Sequence, residues 1–257
     1  MIRRVAIVAL LLASSSALAK GKDDASKKAP EAKTAPATDV DDPLAKYFSA
    51  LEQMKLIDVE SGNLETLRRE LQTGEKLIAD GAYTNAAVAL YAIVKSPRYA
   101  SFTEFVEYQN AEYDLAVALA RAGAYGASLE VIESILKRGP AAPYWGPAHR
   151  RAVDIAIETR DHAGVLARLE AIHTNDPIPP SAAGERSYLR GRAAYENGNL
   201  TDAQGELALI SKKSRLYSSA VYLRGVIWAR KGELKSSAEA MCEIAATEDN
   251  SKFTFVV

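Results

Sequence analysis

Apolar residues fall into three regimes along the 257-residue chain. Val5 to Ala13 is an unbroken apolar run. Lys20 to Asp42 holds almost no large apolar residue and is rich in Lys, Ala, Asp, Pro and Thr. From Pro43 onward, apolar residues recur at helical spacing, with Gly, Pro and small polar residues clustered between the blocks. Pro43 suits a first helical turn, and Tyr47, Phe48, Leu51, Met54 and Leu56 supply an apolar face behind it. Ser61-Gly62-Asn63 reads as a turn. Another helix is expected from about Leu64, with Leu67, Leu71 and Leu77 on one side.

The first regime reads as an export signal, with an uncleaved membrane anchor as the alternative. Arg3 and Arg4 precede the apolar run, which is too short to span a bilayer. Ser14 to Ser16 break the run, and Ala17-Leu18-Ala19 forms a small-residue cleavage site before Lys20. No Cys follows the run, so a lipoprotein anchor is not expected. The short basic start and the cleavage site have a bacterial character, which places the mature chain in the periplasm or at the cell surface. Residues 20–42 cannot bury enough surface to offset their ordering entropy and read as a disordered tether. Residues 43–70 are expected to be N-terminal helices, and residues 71–257 a repeat array.

Tyr188-Leu189-Arg190-Gly191 recurs as Tyr222-Leu223-Arg224-Gly225, an offset of 34 residues that Gly198 and Gly232, and Leu200 and Leu234, also obey. Each unit reads as two helices, A and B. Gly191 and Gly225 allow helix B to cross helix A closely. Gly198 and Gly232 supply the positive φ of the turn between them. Helix B then presents Ala203 or Ser237 to helix A, followed by Leu207 and Ile210, or Met241 and Ile244. Three weaker copies precede these. They are marked by Gly74, Gly81 and Ala86, by Ala116, Gly123 and Ser128, and by Val153, Asp161 and Val165. The turn positions Gly81, Gly123, Arg160, Gly198 and Gly232 are spaced 42, 37, 38 and 34 residues apart. The extra residues fall in Ser96 to Phe105, Gly139 to Pro147 and Pro177 to Ala183, between repeats, where insertions cost least.

The 34-residue unit in an Ala-rich helical sequence resembles the tetratricopeptide repeat (TPR) family. The resemblance covers about Leu71 to Ala246 and departs from the family at Arg190 and Arg224, where a large apolar residue is usual. It implies an all-α fold, a right-handed α-solenoid of antiparallel helix pairs with about five repeats, whose helices A line a concave groove. By that register Tyr113, Tyr188 and Tyr222 are equivalent, Arg192 lies one turn onward in its helix A, and Arg150 and Asp154 fill the corresponding slots of the weak third repeat. With Tyr195, also on a helix A, these are candidate partner-binding residues, since Tyr and Arg offer large area with a polar end. Packing between repeats is the competing role for the tyrosines. Tyr144 and Trp145, in the Pro143 to Pro147 loop, are candidates for the same reason, or else fold back to plug a gap between repeats.

Formal charge is −1, from 32 Lys and Arg against 33 Asp and Glu, and loss of Arg3 and Arg4 with the signal takes it to −3. No strong positive field exists to gather nucleic acid or anionic lipid, and no membrane span is expected after signal cleavage. No phosphate-cradling loop, nucleophile elbow or paired cysteines are present, so no catalytic residue, metal or cofactor is expected. His149, His162 and His173 read as helix-surface or turn residues. The single cysteine, Cys242, reads as a small buried residue or as a reactive or bridging thiol. The resemblance implies a non-catalytic protein–protein interaction scaffold, expected in an envelope machine for secretion, surface or gliding motility or outer-membrane assembly. The alternatives are a recruiting or regulatory subunit for a cell-wall enzyme, or a self-associating structural repeat. Beyond the final helix, Phe253 to Val257 are expected either to pack back over the last pair or to mark where a longer solenoid was cut, with a frayed, disordered tail as the alternative. N-terminal sequencing of protein recovered from cells should start at Lys20; an intact Met1 on cytoplasmic protein would remove the export expectation.

Overall fold

The computed structural model describes residues 62–172 and 177–245. The signal, the tether, the helix expected from Pro43, His173 and Phe253 to Val257 lie outside the described residues. The described residues form ten α-helices and no strand. They pair in sequence: α1 (Leu64–Ala79) with α2 (Tyr83–Val94), α3 (Val106–Arg121) with α4 (Tyr125–Leu136), α5 (Trp145–Thr159) with α6 (His162–Ala171), α7 (Pro180–Glu196) with α8 (Leu200–Ala208), and α9 (Tyr217–Arg230) with α10 (Leu234–Ala245). This is an α-solenoid of five helix pairs. Helix α1 runs through the boundary expected between residues 70 and 71, so the first repeat begins at Leu64. The side chain of Asn63 caps it, accepting from the Thr66 N–H at 2.9 Å.

The turns between paired helices follow one rule. Gly81, Gly123, Gly198 and Gly232 have φ between 74° and 84°. After each, an N–H reaches back to a carbonyl five residues earlier, as from Ala82 to Leu77, Ala124 to Leu119, Asn199 to Ala194 and Glu233 to Trp228. That closes the helix end in a left-handed cap. In the third pair Arg160 takes the same position at φ 59°, the only non-Gly residue with positive φ among the described residues. Its turn is closed instead by Asp161, whose N–H donates to Thr159 Oγ1 (3.4 Å) and whose side chain caps α6 through the Gly164 N–H (2.9 Å).

Seven residues before each turn position stand Gly74, Ala116, Val153, Gly191 and Gly225. Sixteen residues after each of these stand Leu90, Ile132, Leu169, Leu207 and Met241. A Cβ added at Gly74 would lie 2.5 Å from Leu90 Cδ2, and one at Gly191 would lie 2.7 Å from Leu207 Cγ. The absent side chain is therefore what lets the large residue of helix B seat on helix A. Small helix-B residues complete the approach: Ala86, Ser128, Val165 and Ala203 are buried, and Ser128 Oγ donates to the Ala116 carbonyl at 2.7 Å. Where Val153 replaces the small residue, α5 and α6 pack less extensively than the other pairs.

The longer connections between pairs send aromatics inward. Tyr99, in a short 3₁₀ helix (Pro97–Phe102), is fully buried, and its hydroxyl donates to Glu70 at 3.0 Å. Trp145 is 2% exposed and its Nε1 donates to the Leu136 carbonyl at 3.2 Å. The Pro143 to Pro147 segment thus plugs the gap between the second and third pairs. His149 and His162, expected at a surface or in a turn, are both 1% exposed. Cys242, expected to be buried in one reading, is exposed.

The close crossings predict unequal tolerance. Ala at a helical Gly gains roughly 1 kcal/mol of propensity, while overpacking costs about 1–3 kcal/mol. Gly191→Ala meets the branched Leu207 and should lower stability by about 1–2 kcal/mol. Gly225→Ala meets the flexible end of Met241, 2.6 Å away, which can move aside, so its urea midpoint should stay close to wild type.

Candidate functional site

Helices A of successive pairs stand side by side, and α5 lies at the centre of the row. Tyr113, Trp145, Arg150 and Asp154 line one cavity of about 460 Å³ there, with His149, Glu185 and Ser181 among its other walls. Tyr144 adjoins it, its ring stacked on Tyr113 with centroids 5.4 Å apart. The structure therefore brings together five of the nine candidates named from the sequence. Only part of this group offers side-chain surface. Arg150 is exposed, and Tyr113 and Tyr144 are half-buried. Trp145 is core, in line with the gap-plugging reading of its loop and not with a contact role.

The other four are placed differently. Tyr188 is 6% exposed and belongs to the core, and burial pushes its hydroxyl pKa up. The role of inter-repeat packing, not groove contact, is the one it takes. One face of the Tyr195 ring is covered by the Arg230 guanidinium, 4.6 Å from its centroid. Tyr222 packs beside the small cluster of Val221, Ala240 and Ile244 at the last pair. Arg192 is half-buried and lies 3.6 Å from Glu196, one turn away. The two arginines that depart from the family pattern are also accounted for. Arg190 pairs with Glu170, and the Arg224 guanidinium lies 4.8 Å from the Trp228 ring.

A polar lattice braces the cavity. His149 Nδ1 lies 3.0 Å from Glu185 Oε2, and Arg186 Nε donates to His149 Nε2 at 3.4 Å. An imidazole nitrogen that accepts leaves the other to donate, so Nδ1 carries the hydrogen towards Glu185. Trp145 stacks on the His149 ring at 5.2 Å. Arg215, in the connection between the fourth and fifth pairs, donates to Glu185 (2.7 Å), to Asp154 (2.6 Å) and to the Arg150 carbonyl (3.4 Å). Burial by itself would raise the Glu185 carboxyl; the bonds from His149 and Arg215 outweigh it and hold the pKa below the usual range. Asp154 is thus already engaged within the chain.

On the other side of the tyrosine stack the electrostatics reverse. Burial pushes the Asp114 carboxyl up to about 6, and neighbouring Glu75 adds to the shift. The Tyr144 hydroxyl is pushed up by burial and then by Asp114, Glu75 and Glu107. Glu107 is held by Arg68, at 2.6 Å, and Glu75 accepts from Asn110, at 3.0 Å. The residues missed from the sequence are Glu75, Asp114, His149, Glu185 and Arg215. Glu75 was within reach: it stands six residues before its turn, the slot that Asp154 and Arg192 occupy in their own repeats. Arg215 lies in a connection, outside any repeat register, and carries no such signal.

Residues 188–252 match the family model described as tetratricopeptide repeat. This part of the chain is a tetratricopeptide repeat region. The matched segment opens on the helix A that carries Tyr188 and Gly191 and takes in the last two pairs, where the 34-residue offset is strict. Antiparallel helix pairs of the same kind continue through the three earlier pairs, outside the matched segment, where glycines are fewer. Comparison with curated proteins and with solved structures returned no match. No described helix is long and apolar enough to cross a membrane.

The raised Asp114 pKa has a testable sign. The folded state holds the proton to about pH 6, whereas an unfolded Asp releases it near pH 4. Stability attributable to Asp114 is therefore present at low pH and lost as pH rises from about 4 to about 6. Asp114→Asn should raise the urea midpoint at pH 7, and the difference from wild type should vanish below about pH 4. Equal midpoints at pH 7 would show that Asp114 is well solvated.

Proposed function

We propose that the chain is an exported, non-catalytic protein–protein interaction scaffold of the bacterial periplasm or envelope, working within a multi-protein envelope machine. Tetratricopeptide repeats typically serve partnering, and the signal-like first nineteen residues supply the compartment in this reading. The observation that carries it is the cavity on the helix-A face at the third pair. Residues singled out by repeat register alone converge there, and Arg150 brings an exposed side chain to its edge with no side-chain partner among the described residues. A partner segment lying along helices A would place Tyr113 and Tyr144 against its apolar atoms and Arg150 against a carboxylate or carbonyl. Asp154 and Glu185, already bound by Arg215, keep the wall rigid, which lowers the ordering cost of binding.

A photo-crosslinking residue placed at Arg150 in the exported protein should capture a discrete partner, while the same residue at exposed Glu130 on α4 should not. Tyr113→Ala combined with Arg150→Ala should reduce capture through a neighbouring crosslinker at Ser181 by about tenfold or more, as for a central contact pair. Equal labelling from positions 150 and 130, or none from either, would dismiss the helix-A face as the docking surface.

A further inference from the structure

We propose that the face around the Tyr113–Tyr144 stack docks a basic segment of a partner protein, seating a Lys or Arg side chain against the two rings and over the Asp114 and Glu75 carboxylates. This rests on the reading of the helix-A face as the docking surface and names the chemistry it selects.

This fold treats its carboxylates in a consistent way. Those that are partly buried are as a rule held by a cation: Glu70 by Arg98, Glu112 by Arg138, Glu133 by Arg168, Asp154 and Glu185 by Arg215. Asp114 is an exception. It is half-buried, no described Lys or Arg pairs with it, and no hydrogen bond reaches it. The charge that acts on it is another carboxylate, Glu75, whose bond is to the neutral amide of Asn110. Helix α1 contributes Glu75 and Arg68, and Arg68 is consumed by Glu107. Helix α3 contributes Glu107, Tyr113 and Asp114, and the start of α5 contributes Tyr144. Among the described residues the balance of this patch is negative, and no described Lys or Arg pairs with Asp114.

Carboxylates alone would be an ordinary solvated face. The aromatic pair makes this one specific. Tyr113 and Tyr144 stack with an interplanar angle of 22°, come from different repeats, and are both half-buried. Three carboxylates are close enough to shift the Tyr144 hydroxyl, so negative charge converges on the ring itself. A cation placed against such a ring gains from both the quadrupole and the carboxylates. Within this chain the same pairing recurs, with Arg98 over Tyr99, Arg224 over Trp228 and Arg230 over Tyr195. The Tyr113–Tyr144 pair has no such cation from the described residues. An apolar or acidic segment would leave Asp114 desolvated and uncompensated, so a basic one is favoured.

The test uses the mature chain and fluorescein-labelled hexa-arginine, read by anisotropy at physiological salt, with hexa-glutamate as the opposite-charge probe. Hexa-arginine should bind and hexa-glutamate should not. Asp114→Asn with Glu75→Gln should weaken binding at least tenfold, and Tyr144→Ala should weaken it as well. Glu130→Gln with Glu239→Gln removes the same charge from exposed positions on other helices and should change binding less than twofold. Equal loss from both double variants would mean general electrostatic attraction and would overturn the proposal, as would no binding by wild type. Thermal midpoints of all variants confirm folding, and Asp114→Asn is expected to raise its own. The two readings fail separately. A partner captured from position 150 with unchanged yield in the Asp114→Asn, Glu75→Gln background removes the basic-segment proposal and leaves the groove; absence of any partner at position 150 removes the groove.

Discussion

The seating of one large helix-B residue on a side-chain-free spot of helix A is the contact on which the structure depends. Gly74 under Leu90, Gly191 under Leu207 and Gly225 under Met241 are three instances at the same sixteen-residue separation. Such an approach fixes how closely the pair can pack, because a Cβ at Gly74 or Gly191 would crowd the branched leucine seated on it. The positive-φ turn seven residues later is then obligatory, since it alone returns the chain at the right angle. Each pair buries its apolar face only against its neighbours, so the core is a chain of overlapping clusters rather than a single centre.

The third pair breaks both rules and shows what replaces them. Val153 fills the seat and Arg160 occupies the left-handed turn at a conformational cost that a glycine would not incur. Its helices pack less extensively, and the lost contact is offset from outside the pair. Trp145, at the start of α5, donates to the Leu136 carbonyl of the preceding pair, the His149–Glu185 bond ties α5 to α7, and Arg215 reaches back from beyond the fourth pair to Asp154 and the Arg150 carbonyl. A repeat that is weak by its own sequence is therefore braced by polar contacts with its neighbours. Those braces also wall the cavity. A strong third repeat would have closed the space where Tyr113, Arg150 and Asp154 now meet.

The face on either side of the tyrosine stack is electrostatically divided. Towards the fourth pair, carboxylates are satisfied by Arg215, and Arg150 is left over. Towards the first pair, Asp114 and Glu75 are left over. A segment lying along this face meets surplus negative charge, then two aromatic rings, then surplus positive charge, which gives it a preferred direction as well as a preferred composition.

Repeat register and helix pairing were legible in the sequence because they are set by local and nearest-neighbour requirements. A turn residue that tolerates positive φ, a small residue seven positions before it and a large one sixteen further on leave a periodic trace; even Arg160, without a glycine, was placed by spacing alone. The helix-A register that Tyr113, Arg150 and Asp154 follow was legible for the same reason, and these three line one cavity. What register does not encode is how far each side chain is covered once the repeats stack. Tyr188 and Tyr113 share a register position, yet Tyr188 is core and Tyr113 half-open, because the elements packed over them differ. Trp145 turned inward because a gap between pairs required filling. The Arg215 clasp spans 61 residues, from the connection after the fourth pair back to Asp154 in the third, so only the tertiary structure could decide it, and with it which carboxylates are held within the chain.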